Sequence, residues 1–368
     1  MLETVRNAFK LKEIRSRIIY TLLMLVVVRI GTQLPVPGVN GSYFSEWFSG
    51  NSGSAFGFFD AITGGSFEKM SVFALNITPY ITSSIIIQLL TIAIPKLEEL
   101  QKDGEEGRKK MTAITRYLTV ALALMESLAM AIGFGRSGLL IKFNALNVIT
   151  AVVTLTAGST VIMWIGERIT EKGVGNGISI VLTINIISRI PQDLTLLFEQ
   201  FVKGKEIAFQ VLNLAIIIAI IIIVTVLTVA LQGAERRIPV QYSRKVQGRK
   251  QVGGQTSHIP LKVNTAGVIP IIFAQSLFMF PLIIMQLLGK SGGNGIGGTI
   301  LKMLNQSNWC DFNEPIYSIG LIVYIALVIA FAYFYTSITF NPLEIADNMK
   351  KQGALSRVSV QVSQPVNI

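Results

Sequence analysis

The feature that most constrains this chain is the run from Leu214 to Leu231, in which no side chain is charged and Ile216 to Ile223 carries no polar group. As a helix, a run of about 20 such residues crosses a hydrocarbon core of ~30 Å. Comparable blocks recur, and eight are read as membrane spans, at about 18–34, 70–94, 113–134, 147–166, 176–190, 210–231, 266–288 and 316–340. Composition agrees: 51% of residues are hydrophobic and 14% charged, whereas soluble chains carry roughly a quarter charged residues. The expected fold class is an all-α, polytopic membrane helix bundle.

The 210–231 block suits a lipid-facing position. The 176–190 block is short and holds Ser179, Thr183 and Asn185, so it is expected inside the bundle, lining something polar. The basic lead and the apolar run Ile18 to Val28 superficially resemble a signal peptide. No small-residue cleavage site follows, and the run continues through Arg29 towards Leu34. A retained first helix is expected.

The net charge of +11 has to be read by its distribution. With the amino terminus inside, the inner side collects Arg6 to Arg17, Lys96 to Arg116, Arg168 and Lys172, Arg236 to Lys262, and Lys350 to Arg357. These are most of the 32 Lys and Arg, so both termini are expected inside and the charge excess is mostly topological. The loop from Glu235 to Lys262 stands out. It carries Arg236, Arg237, Arg244, Lys245, Arg249, Lys250 and Lys262 against the single acid Glu235, with Gly248, Gly253 and Gly254 letting it project. Ordinary positive-inside bias accounts for it, as does a docking finger for an anionic partner such as ribosomal RNA. On the outer side, Ser54 to Met70 is too short and polar to span. It holds Phe56, Phe58, Phe59, Ile62 and Phe67 around a Gly64–Gly65 break, which suits a short helix tucked into the protein.

Catalytic signatures are missing. The lone Cys310 excludes an internal disulfide, and the lone His258 leaves little for a metal site. The Gly-Lys-Ser at Gly289–Ser291 has Ile284 where a phosphate loop needs glycine, and the spacing Gly293, Gly295, Gly298 follows no strand. No enzyme activity and no cofactor are expected, so transport would be driven by a partner or a gradient. Within the spans, Glu126 is a costly carboxylate that marks a functional site. Asn76, Thr78, Pro79, Thr82 and Ser83 share the second span, where Pro79 favours a kink. The seventh follows Asn264 and holds Pro270, a second kink. These groups fit a small-solute secondary transporter or a channel that opens sideways, and composition does not separate the two.

Specific segments do separate them. Val72–Phe–Ala–Leu–Asn–Ile–Thr–Pro–Tyr–Ile–Thr–Ser–Ser–Ile–Ile–Ile–Gln–Leu–Leu90 resembles the second helix of the SecY family. Arg29–Ile–Gly with Pro35–Val–Pro–Gly38, Gly173 to Ile180, Glu235 to Tyr242, Ile259 to Pro270 and Asn341 to Gly353 resemble further blocks of that family. The resemblance implies a protein-conducting channel, a two-half clam-shell with eight of ten helices present. The halves would be 1–190 and an incomplete 191–353, with a cytoplasmic finger at 233–263. It also implies a pore ring of Ile77, Ile81, Leu182, Ile186 and Ile272, in which the 77/81 and 182/186 pairs each share one helix face. A plug with Phe58, Phe59, Ile62, Gly64 and Gly65 would close the pore. A lateral gate would be latched by Thr82, Glu126 and Asn264. Arg236, Arg237, Arg244, Lys245, Arg249 and Lys250 would dock the ribosome or the SecA motor. The implied partners are the small subunits SecE and SecG, SecA, the ribosome, signal peptides and nascent secretory or membrane proteins, and the lipid bilayer. The implied location is the bacterial plasma membrane.

Beyond Gly353 the resemblance stops. The family continues there with a basic loop and two further helices, and residues 354–368 are expected to be an aberrant tail, because one added base before the codon of Leu355 can restore that loop. Three alternatives stay open on sequence: the channel, a non-functional fragment of it, or a small-solute transporter.

Overall fold

The computed structural model describes residues 10–51, 55–135, 138–204, 206–242, 245–247, 250–252, 256–287, 296–309, 314–339 and 354–356. Along the chain run α1 (Lys12–Gly31), α2 (Gly41–Asn51), α3 (Ala55–Thr63), α4 (Thr78–Ala93), α5 (Pro95–Lys102), α6 (Gly104–Gly133), α7 (Ala145–Lys172), α8 (Gly177–Phe201) and α9 (Ile207–Gly233). Strands β1 (Glu235–Tyr242), β2 (Lys245–Gln247), β3 (Lys250–Val252) and β4 (Thr256–Lys262) follow. Then come α10 (Ile269–Leu287), α11 (Ile296–Leu304), α12 (Ile319–Thr339) and β5 (Ala354–Ser356). Among the described residues, five helices are long and apolar enough to cross a membrane, or six if the α4–α5 pair, bent by 111°, counts as one span. The all-α expectation holds, with one small β ribbon attached. The chain divides into two compact units, one of Met1–Leu196 with Gln275–Ile325 and the other of Leu197–Ala274 with Ala326–Ile368.

The second span departs from expectation. Residues 71–77 are turns, and the helix starts only at Thr78, with Pro79 in its first turn. There the missing N–H of Pro79 has no helical acceptor to lose, so proline begins a helix where a kink was expected. Met70 and Asn76 sit at φ 44° and 49°, conformations that side chains other than glycine seldom adopt. Non-helical backbone at membrane depth persists only where protein satisfies it. Here the Ser66 hydroxyl donates to the Phe73 carbonyl at 3.0 Å and the Ser159 hydroxyl to the Asn76 carbonyl at 3.0 Å. Pro270 likewise lies in the first turn of α10, and the proline inside that helix is Pro281. Helix α8 runs past its expected end at 190 and keeps Pro191 in its interior.

Two cores form in the first unit. Phe44, Phe48, Phe59, Phe67, Leu75, Phe134, Leu139 and Leu155 make one, with edge-on ring pairs Phe44–Phe67, Phe44–Phe134 and Phe59–Phe67 at centroid distances of 5.3, 5.2 and 5.0 Å. Val28, Phe73, Ile77, Ile162, Ile165, Ile169 and Val181 make the other. In lipid, such helices associate through close van der Waals packing. Gly158 of α7 shows how close: a Cβ there would strike the carbonyl oxygen of Val72. Helix α9 has no part of its apolar window buried, as expected of a lipid-facing span. In the ribbon, β1 pairs antiparallel with β4, Arg236 opposite Leu261 and Arg237 opposite Pro260, and β2 pairs with β3. Ala354–Ser356, the start of the expected aberrant tail, pairs with Val240–Tyr242 of β1. Residues 357–368 and the 341–353 block lie outside the described residues.

Candidate functional site

The segment 54–70 forms its helix, α3, where Ala55–Thr63 offers an apolar stretch, and ends it at two glycines. Gly64 and Gly65 have φ 70° and 80°, the left-handed backbone that commonly terminates a helix. The turn is self-bonded. Gly65 N–H donates to the Asp60 carbonyl at 3.1 Å, the Thr63 hydroxyl to the same carbonyl at 3.1 Å, and Glu68 N–H to Asp60 Oδ1 at 2.8 Å. Phe59 and Phe67 are buried in the aromatic core, and Ile62 is half-buried. The Phe58 side chain lies outside the described residues.

This segment closes against α8. A Cβ on Gly64 would stand 2.8 Å from the Asn185 carbonyl oxygen and 3.1 Å from Arg29 Nη1, so only glycine fits. Asn185 lies beside Ile186 and one turn beyond Leu182, so the plug candidate touches α8 within one turn of the expected ring positions. Asp60, fully buried, is ion-paired with Arg189 of α8. Arg189 also meets Glu68 at 3.9 Å and Asp193 at 3.2 Å. Asn185 and Asn76 are fully buried and, among the described residues, their side-chain amides have no hydrogen-bond partner; the same is true of Arg29 Nη1.

The other ring candidates in this unit lie nearby. Ile77 is fully buried in the core cluster that contains Val181, and Ile81 packs against that cluster. Leu182 is half-buried and Ile186 is exposed. Ile272 belongs to the second unit, where it is half-buried one residue before Phe273, which stacks on Phe331 at 5.1 Å. Of the gate candidates, Thr82 and Glu126 are half-buried on α4 and α6, helices that pack on each other. Ser127, beside Glu126, shares a 2.9 Å hydroxyl contact with Thr156. Asn264, in the second unit, accepts from Gly267 N–H at 2.9 Å and so caps its own turn. On the ribbon, Arg236 and Arg237 are exposed. Lys245 and Lys250 sit on β2 and β3. Arg244 and Arg249 lie outside the described residues.

The family model for SecY matches residues 71–356. Protein translocase subunit SecY of Streptomyces scabiei is 41% identical over 367 residues, covering 96% of this chain and 80% of that protein. The chain belongs to the SecY family. Protein translocase subunit SecY of Escherichia coli (strain K12) is 39% identical over 349 residues, covering 94% of this chain and 76% of that protein. Among solved structures, a protein-conducting channel matches with a TM-score of 0.60 at 18% identity, covering 94% of this chain and 78% of that one. The Sec61 channel of the canine ribosome–channel complex matches with 0.58 at 17% identity, covering 95% and 80%. These structural likenesses carry the fold. As a SecY-family member, the chain is a multi-pass membrane protein and a subunit of a protein translocation channel, which decides against the small-solute transporter.

Sequence reasoning missed Asp60 and Arg189 as a pair. Arg189 counts in the sequence as one more outer-side cation, and Asp60 as a polar interruption of an apolar stretch. A lone acid among phenylalanines and a lone base at the end of a span were the available signals.

Proposed function

We propose that this chain passes unfolded secretory polypeptides across the bacterial plasma membrane and releases apolar segments sideways into lipid. Ile77, Ile81, Leu182 and Ile186 form most of a soft ring, and the 54–70 segment plugs it at rest. The observation that carries this reading is the seat of Gly64 on Asn185, the residue before Ile186 on α8. Branched apolar side chains close a pore by dewetting and part without breaking specific bonds, so they seal around any extended sequence. Ile272 and Asn264 lie in the other unit, and their membership of the ring and of the Thr82–Glu126–Asn264 gate rests on the resemblance. Both termini and the β ribbon face the cytoplasm, where Arg236, Arg237, Arg244, Lys245, Arg249 and Lys250 meet the ribosome or SecA. SecE and SecG complete the membrane assembly. Nothing in this role calls for catalysis by the chain itself.

Wetting the ring tests this reading. With Ile186→Asn, the resting ion conductance of the reconstituted channel in a planar bilayer should rise severalfold over the unsubstituted chain. Ile220→Asn on α9, away from the ring, should leave it unchanged. Equal conductance in both variants would remove Ile186 from the constriction.

A further inference from the structure

We propose that Arg189 positions the plug, acting as an electrostatic latch that holds the 54–70 segment on α8 at rest. The inference rests on the plug reading above. Arg189 reaches three acids: Asp60 and Glu68 of the plug segment, and Asp193 one turn further along its own helix. Asp60 is fully buried, and the Arg189 side chain is 12% exposed. Removing one member of such a pair leaves an uncompensated buried charge, and this makes the contact strongly dependent on both partners.

The arrangement suits a contact that has to break. Asp60 is bonded within its own loop through the Glu68 and Gly65 amides and the Thr63 hydroxyl. The segment can therefore leave as one piece. Arg189 keeps Asp193, whose side chain is 48% exposed, so the base on α8 is not stranded when the plug departs. Beneath the latch, Asn185 and Arg29 present polar atoms that lack partners among the described residues. Water reaching this seat satisfies them, which favours departure once the ion pair parts. The closed state thus combines the Arg189 charge contacts to Asp60 and Glu68 with the burial of Phe59 and Phe67, over a seat that is easily hydrated.

Hydrogen exchange on the full-length chain in lipid nanodiscs tests the latch. Arg189→Gln and Asp60→Asn should each raise exchange of the amides in 55–63 by about tenfold, as a local opening, with α7 amides unchanged. Arg189→Lys should keep most of the protection, and the double variant should exchange less than Arg189→Gln alone, since it leaves no uncompensated charge at the fully buried position 60. Unchanged exchange at 55–63 in the single variants would overturn the latch. So would a parallel rise in α7, which would make the pair a general structural support. Deleting residues 55–63 examines the plug reading separately. An ion leak from the deletion supports the plug whichever way the latch falls, whereas a tight deletion channel overturns the plug and the latch with it.

Discussion

Gly158→Val should cost the first unit about 3 kcal/mol or more, the upper end of what overpacking usually costs. The reason is that its Cβ has nowhere to go. It would strike the Val72 carbonyl oxygen, with the Val72 carbonyl carbon at 2.9 Å and Cγ1 at 3.1 Å. Backbone atoms cannot rotate aside, and residues 71–77 are held on both sides. Val72 N–H donates to the Leu34 carbonyl at 2.8 Å, and Ser159, next to Gly158, donates to the Asn76 carbonyl at 3.0 Å. Thermal unfolding of the purified chain in detergent should show a clearly lower midpoint for Gly158→Val and a smaller drop for Gly158→Ala. An unchanged midpoint for valine would mean that the 71–77 segment does not lie against α7.

Reversing the charge of the two arginines at the base of the ribbon should weaken ribosome binding about tenfold at moderate salt. It should also flatten the salt dependence by about two units of slope, one for each phosphate that is no longer neutralised. Arg236 and Arg237 are exposed, and their neighbours across the ladder are the uncharged Leu261 and Pro260. The only acid in the stretch, Glu235, stands opposite Lys262. The arginine charge is therefore available to an anionic partner. Arg236→Glu with Arg237→Glu, measured by cosedimentation with ribosomes, gives the affinity. A cysteine at 236 labelled from outside intact cells by an impermeant thiol reagent would contradict the cytoplasmic placement.

The parts of this fold that a sequence discloses are those set by one residue type in a long run. Helix α9 is readable because Leu214 to Leu231 carries no charged side chain and Ile216 to Ile223 no polar one. The basic blocks are readable because they accumulate in alternate loops. The break at 71–77 is hidden, since Val72, Phe73, Ala74 and Leu75 read as helix and what holds them irregular is a pair of serine hydroxyls elsewhere in the chain. Pro79 was visible, but whether a proline kinks a helix or starts one depends on the backbone before it. The helical continuation through Pro191 was hidden for the same reason. At the site, the blocks around Ile77–Ile81 and Gly173–Ile180 carry the family resemblance and with it the proposed ring. The Asp60–Arg189 pair belongs to no motif and needed the fold to bring α3 and α8 together.

The proposed function requires that an extended polypeptide pass the aliphatic ring of this chain. A photo-crosslinking amino acid at position 186 on α8, with a second chain carrying it at position 220 on α9, tests it against a secretory polypeptide arrested midway through transport. Adducts to the arrested polypeptide are expected from 186 and only lipid adducts from 220. Polypeptide adducts from neither position, or equally from both, would contradict it.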